Sequence, residues 1–269
     1  MEQRNNLEVE IRIDGVLYVP AFINEAGPFW LLFDTGCTGC SVTPEVARRA
    51  GIEVRDGGVA YLRRLTIGSV SWNDIMFGVS DEPAVTGLLG HQVDGFLGNG
   101  FLHYVREQFE LVIDYPRRYL AFREIDRHPE PIFADIESCS HAASCVPIRL
   151  ENWYTIVPVH INGQGPYRFL LDTGAGTCVV SPQVAQWFSL PEGDSVKAKG
   201  VVKSLEAYRS FVSRLSVGRA TCEDLEVLVM DCSEVSGYVH DRVDGYVGNA
   251  FLQRFAVMLN YRDRRIVLR

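Results

Sequence analysis

No apolar stretch in this 269-residue chain reaches the roughly 20 residues that a membrane-crossing helix needs. The opening residues, MEQRNNLEVEIRID, lack the apolar centre of a secretory signal. The expected compartment is therefore the cytoplasm, or the periplasm or exterior if a leader has been removed, because a trimmed chain would look the same. Positive charge is in short supply: 26 Lys and Arg against 34 Asp and Glu leave a net charge of −8. That balance argues against nucleic acid or an anionic membrane surface as a partner. A phosphate-cradling loop is missing too, since Gly98-Asn99-Gly100 and Gly248-Asn249-Ala250 do not follow the spacing of a Gly-rich loop that opens a helix. Metal ligands are sparse. Cys139-x-His141-x3-Cys145 offers the right residue types without a convincing fourth, so neither metal nor cofactor is expected. The seven cysteines are an odd number, which leaves at least one thiol free or paired between chains. Reduced thiols are the favoured reading, and a disulfide between Cys222 and Cys232 on neighbouring strands is the alternative in an oxidising compartment.

What is present is a globular composition, 47% hydrophobic and 22% charged, arranged as a repeat. Residues 18–36, YVPAFINEAGPFWLLFDTG, align without a gap to residues 156–174, IVPVHINGQGPYRFLLDTG, at an offset of 138. LTIGSVSWNDIMFGVSD (65–81) matches LSVGRATCEDLEVLVMD (215–231), and VDGFLGNGFL (93–102) matches VDGYVGNAFL (243–252), both at an offset of 150. FELVIDYPRRYLAFR (109–123) matches FAVMLNYRDRRIVLR (255–269) at 146. Four blocks in one order indicate a duplicated unit. The expected organisation is an N-terminal lobe over 1–123, a linker over 124–145 and a C-terminal lobe over 146–269. The linker is polar and proline-bearing and matches nothing in the other half.

Each unit reads as β. Trp30-Leu31-Leu32-Phe33 and Phe169-Leu170-Leu171 are short apolar runs that end at glycine turns, while Asn162-Gly163 and Tyr115-Pro116-Arg117-Arg118 carry turn chemistry. Helix is expected only in short pieces, at Pro44 behind Thr43 and at Pro182 behind Ser181. Tyr-Arg-Asp-Arg-Arg at 261–265 reads as a solvated hairpin tip. Cys40 and Cys178, six residues after each Asp, read as small apolar filling rather than redox partners.

Any one Asp-Thr-Gly arises by chance at on the order of one in five thousand positions. Two of them, Asp34-Thr35-Gly36 and Asp172-Thr173-Gly174, stand at equivalent points of the repeat, each behind an apolar run. Each is followed by a second glycine-bearing apolar block, Phe96-Leu97-Gly98 or Tyr246-Val247-Gly248. A pair of Asx turns explains one tripeptide but not the second block. On these motifs the sequence resembles the aspartic peptidase family, and its short unit resembles the retroviral-type (retropepsin-like) branch doubled in one chain. The resemblance implies an all-β, two-lobed acid-protease fold, with two β-barrel-like lobes around a cleft and few short helices. It implies catalysis by Asp34 and Asp172, cross-bracing by Thr35 and Thr173, and close backbone approach at Gly36 and Gly174. The expected activity is hydrolysis of a peptide or protein substrate by water activated between the two carboxyls. The alternative is a peptide-binding protein of the same fold with weak or no turnover. A monomer is expected, with a homodimer also open.

Two departures sharpen those expectations. Cys37 and Ala175 stand where the family commonly has a hydroxyl or Ala. Without a hydroxyl to bond the carboxylates, a pH optimum above about 4 is expected. The shift of offset from 138 to 150 adds 12 residues to the second half, between the Pro182 helix and Leu215. They are expected to form a single flap around Val196–Phe211, with Gly200, Val201 and Val202 at its tip over substrate, whereas Val54–Arg64 in the first half is too short for one.

Overall fold

The computed structural model describes residues 8–80, 93–125, 144–199 and 204–269. The first half runs β1 (Glu8–Glu10), β2 (Arg12–Asp14), β3 (Val16–Ile23), β4 (Ala26–Phe33), β5 (Cys40–Val42), helix α1 (Pro44–Arg49), β6 (Val59–Ile67) and β7 (Val70–Val79). It continues with β8 (Gly95–Leu97), helix α2 (Asn99–Val105), β9 (Phe109–Asp114) and β10 (Tyr119–Glu124). The second half repeats that order through β11 (Ser144–Pro147), β12 (Arg149–Glu151), β13 (Tyr154–Ile161), β14 (Gln164–Leu171), β15 (Cys178–Val180) and α3 (Pro182–Trp187). Then come β16 (Ser195–Lys199), β17 (Ser204–Val217), β18 (Ala220–Met230), α4 (Ser233–Ser236), β19 (Gly245–Val247), α5 (Asn249–Leu252), β20 (Ala256–Asn260) and β21 (Arg265–Leu268).

Local chemistry explains the matching ends. Thr43 and Ser181 cap α1 and α3, each side-chain oxygen accepting from the amide three residues on, at 3.3 Å in both cases. A proline follows at the first helical position, where its missing N–H costs nothing. The β3–β4 and β13–β14 hairpins turn on Asn24-Glu25 and Asn162-Gly163, all four residues at positive φ, as a right-twisted hairpin requires.

Three sheets result. In the first half the strands lie in the order β2-β3-β4-β8-β5-β7-β6, and pairing of β3 with β6 closes the sheet into a barrel. In the second the order is β12-β13-β14-β19-β15-β18-β17-β16, closed by β13 with β17. The third sheet, β1-β10-β9-β20-β21-β11, belongs to both halves. Its junction is β9 against β20, with Ile113 opposite Val257 and Leu111 opposite Leu259. A continuous core runs through both barrels. Trp72 stacks edge-on to Phe101 and Phe122 with centroids 4.9 and 5.0 Å apart in the first half, while Phe169 and Phe251 are fully buried in the second. Each such ring is worth roughly 1.5–3 kcal/mol of burial.

Two expectations are corrected. Cys222 and Cys232 are not on neighbouring strands: Cys222 lies near the start of β18 and Cys232 two residues past its end, as free thiols in separate apolar clusters. At about 3.3 Å per residue they are on the order of 30 Å apart, far beyond disulfide reach. The 261–264 turn does join β20 to β21, but Tyr261 is 5% exposed and part of the core, so only the charged residues 262–265 of that segment are solvated. β10 ends at Glu124 and β11 begins at Ser144, so both ends of the expected linker are strand residues, while 126–143 lies outside the described residues.

Candidate active site

The two Asp-Thr-Gly segments meet where the barrels meet. β4 runs parallel to β8, with Phe33 beside Leu97, and β14 runs parallel to β19, with Leu171 beside Val247. Each ladder carries one residue further: the Asp34 amide donates to Leu97 O at 2.9 Å, and the Asp172 amide to Val247 O at 3.0 Å. The buried apolar strand thus pins the backbone of the Asp that follows it, at the centre of the molecule rather than its surface.

The threonines tie the segments together. Thr35 N–H donates to Thr173 Oγ1, and Thr173 N–H donates to Thr35 Oγ1, both at 3.1 Å. Each hydroxyl then donates to the opposite strand, Thr35 Oγ1 to Leu171 O at 2.7 Å and Thr173 Oγ1 to Phe33 O at 2.5 Å. Both residues are buried, so every hydroxyl is used as donor and acceptor with no water to substitute.

This bracing presses the aspartates together. The Asp34 and Asp172 carboxyls lie within hydrogen-bond reach of one another. Gly36 N–H donates to Asp34 Oδ1 at 2.8 Å, and the Gly174 and Ala175 amides donate to Asp172 Oδ1 at 2.9 and 3.0 Å. Each glycine also lies against the opposite carboxylate: a Cβ on Gly36 would sit 2.4 Å from Asp172 Cγ, and one on Gly174 would sit 2.4 Å from Asp34 Cγ. Burial raises the Asp34 carboxyl above its ordinary range against the opposing pull of the Gly36 amide. Burial and then the neighbouring Asp34 charge hold Asp172 well above it. Such a pair retains one proton where two isolated carboxyls would have lost both. Cys37 lies beside it, its thiol pushed up to about 12 by burial and then by Asp34. It is no thiolate nucleophile at neutral pH.

Two supporting residues escaped the sequence reading. Asn99 Nδ2 donates to Thr35 O at 2.7 Å, and Asn249 Nδ2 donates to Thr173 O at 2.7 Å and to Ala175 O at 3.1 Å. Both asparagines are buried and hold the carbonyl side of the Asp-bearing loops. Their signal was the Asn common to VDGFLGNGFL and VDGYVGNAFL, weighed only as a phosphate loop.

The halves differ above the site. In the second, β16 and β17 form a hairpin paired from Ser195 opposite Tyr208 to Lys199 opposite Ser204. Gly200, Val201 and Val202 fall between those strands and lie outside the described residues. In the first half the corresponding place is a tight turn at Asp56–Gly58, with a single bridge between Val54 and Ala60. Cys40 and Cys178 occupy matching places beneath the loops as free thiols directed at Gly98 O and Gly248 O, at 3.7 and 3.8 Å. Cys139 and His141 lie outside the described residues. Among the described residues no three His, Cys, Asp or Glu side chains are grouped to hold a metal, and no helix is long and apolar enough to cross a membrane.

Comparison with known proteins follows that geometry. The chain is similar over 97% of its length to the crystal structure of basic 7S globulin from soybean, at 14% identity, TM-score 0.56 and 94% of that chain. It is similar over the same share to an aspartic proteinase from Irpex lacteus, at 12% identity, TM-score 0.56 and 96% of that chain. At these identities the likeness is one of fold: two-lobed and mostly β, as the sequence led one to expect. No curated protein sequence matches the chain. A family model described as aspartyl protease matches residues 19–101 and 157–251, one stretch in each repeat and each including its Asp-Thr-Gly. The chain belongs to the aspartyl protease family.

Proposed function

We propose that the protein is an aspartic endopeptidase in which Asp34 and Asp172 jointly activate the water that attacks a peptide carbonyl. The observation that carries the reading is the contact between the two carboxyls, each held by loop amides and locked by the Thr35–Thr173 exchange. With one proton shared, the ionised member takes a proton from water while the protonated member donates to the substrate carbonyl oxygen. The roles reverse as the amine leaves. Neither a covalent nucleophile nor a metal enters these steps. On this reading the chain is an intramolecular pseudodimer, with lobes over 1–123 and 146–269 joined by 124–145. The β16–β17 hairpin acts as the one flap, over an extended substrate that pairs with it as a further strand.

Incubation of the protein with a peptide library across pH 3 to 8 tests the reading. Cleavage is expected from the unaltered chain and none from Asp34→Asn or Asp172→Asn. Undiminished cleavage in either variant sinks the mechanism. A second reading, a peptide-binding protein of this fold without turnover, is favoured by the tight turn that replaces a flap in the first half and by Cys37 beside Asp34. A statine-type peptide separates the two, because binding that is tight and lost in both Asp→Asn variants belongs to an enzyme complementary to a transition state.

A further inference from the structure

The repeat is broken at one point behind the carboxyl pair. Tyr115 and Tyr261 are matched tyrosines, each following the strand that meets at the junction of the halves, β9 or β20. Both are buried, at 3% and 5% exposed. The Tyr115 hydroxyl crosses from the first half to the second and donates to Asn249 Oδ1 at 2.7 Å. Tyr261 does not return the bond: its hydroxyl lies beside Thr155 and makes no hydrogen bond of normal geometry among the described residues. Among the described residues the Asn99 side chain is thus left with its one hydrogen bond to Thr35 O, whereas the Asn249 side chain is held on both sides.

We propose that Tyr115 is a positioning residue for Asp172: through the Asn249 amide it fixes the backbone of the loop that cradles that carboxylate. The chain of contacts is short. Tyr115 occupies Asn249 Oδ1, which allows the amide one orientation, with Nδ2 facing the Thr173 and Ala175 carbonyls. The Asn249 backbone amide also donates to Ala175 O, at 2.8 Å. Ala175 carries the N–H that meets Asp172 Oδ1. Removing the Tyr115 hydroxyl leaves a buried amide oxygen without its donor, and the amide is then free to turn and abandon the carbonyls. The Ala175 amide loosens, and the Asp172 carboxylate loses part of its stabilisation. Asp34 is spared, because its loop hangs from Asn99, which no tyrosine holds. Other titratable groups near Asp172 are Asp34, Cys37, Cys178 and Tyr246, together with Tyr115 itself. None of the first four changes in a Tyr115→Phe variant.

The inference rests on the reading of Asp34 and Asp172 as a working pair, so its test does not depend on turnover. Carboxyl-labelled aspartate is followed by carbon NMR through a pH titration of the unaltered protein, Tyr115→Phe and Tyr261→Phe, with Asp34→Asn and Asp172→Asn supplying the assignments. Tyr115→Phe is expected to move the higher step of the pair upward by about half a pH unit. Tyr261→Phe is expected to leave both steps in place. Where the protein cleaves peptide, the alkaline limb of the rate profile moves with that step, and kcat falls about threefold to tenfold with KM little changed. Titration in Tyr115→Phe that superimposes on the unaltered protein overturns the proposal, as does an equal shift in Tyr261→Phe. Should Tyr115→Phe not fold, Asn249→Ala takes its place, and an unmoved Asp172 there overturns the proposal equally. Absence of peptide cleavage in the unaltered protein counts against the peptidase reading alone, since the titration does not need it.

Discussion

Gly36 lies so close to Asp172 that a single added methyl carbon would come within 2.4 Å of the carboxyl carbon, and Gly174 stands in the same relation to Asp34. Each half therefore supplies both a carboxylate and the gap that the other carboxylate fills. Gly36→Ala is expected to force the carboxyls apart, with turnover down by at least about 100-fold and stability down by about 1–3 kcal/mol, as for overpacking of a tight interior. Peptidase assay beside urea unfolding checks both, and an Ala variant with full activity would contradict the geometry.

The exchange of hydrogen bonds between Thr35 and Thr173 makes the loops one unit. Thr35→Val keeps shape and apolar contacts but orphans the Thr173 amide and the Leu171 carbonyl, both buried. A loss of about 2–4 kcal/mol is expected, while Thr35→Ser, which keeps the hydroxyl, costs little. The shift in urea midpoint at constant slope measures it.

Carboxyls held above their ordinary range have a defined effect on stability. Their folded-state pKa exceeds the unfolded value, so their contribution is fully present below the unfolded pKa, about 3.9, and is lost as pH rises through the folded one. Asp172→Asn removes that penalty. The variant is expected to melt a few degrees above the unaltered protein at pH 7 and level with it at pH 3. Calorimetry at the two pH values decides, and a lower melting temperature at pH 7 would show that Asp172 is not held protonated.

Cys37 carries no hydroxyl to bond Asp34, and its thiol stays protonated. Cys37→Ser supplies a stronger donor, which favours the ionised Asp34 carboxyl and is expected to draw the acid limb of the rate profile down by up to about one unit. Peptide cleavage by the unaltered protein is expected to peak above pH 4. A profile peaking lower, or unmoved by Cys37→Ser, contradicts the account.

The residues that face each other across the site were legible because duplication wrote them twice. Asp-Thr-Gly behind an apolar run, Pro behind a capping Thr or Ser, and Asn at a hairpin turn are local signals whose chemistry acts within a few residues. The same holds for the 12-residue excess, which became the β16–β17 hairpin. Asn99 and Asn249 were visible as a repeated residue but not as loop supports, since their partners, Thr35 O and Thr173 O, lie 64 and 76 residues away. Cys222 and Cys232 misled because a spacing of ten residues fits either two strands or the span of one long strand, and here β18 fills most of the distance between them.

By itself the sequence determined the repeat and the β class, because hydrophobic periodicity and turn chemistry are properties of short segments. The facing of Asp34 and Asp172 was what the family resemblance implied. Tertiary structure alone decided how unequal the pair is. Tyr115 and Tyr261 are the same residue at the same place in each repeat, yet one hydroxyl reaches Asn249 and the other ends beside Thr155. A hydrogen bond is won or lost over less than an ångström, and that distance is set by how the two barrels pack rather than by any pattern along the chain.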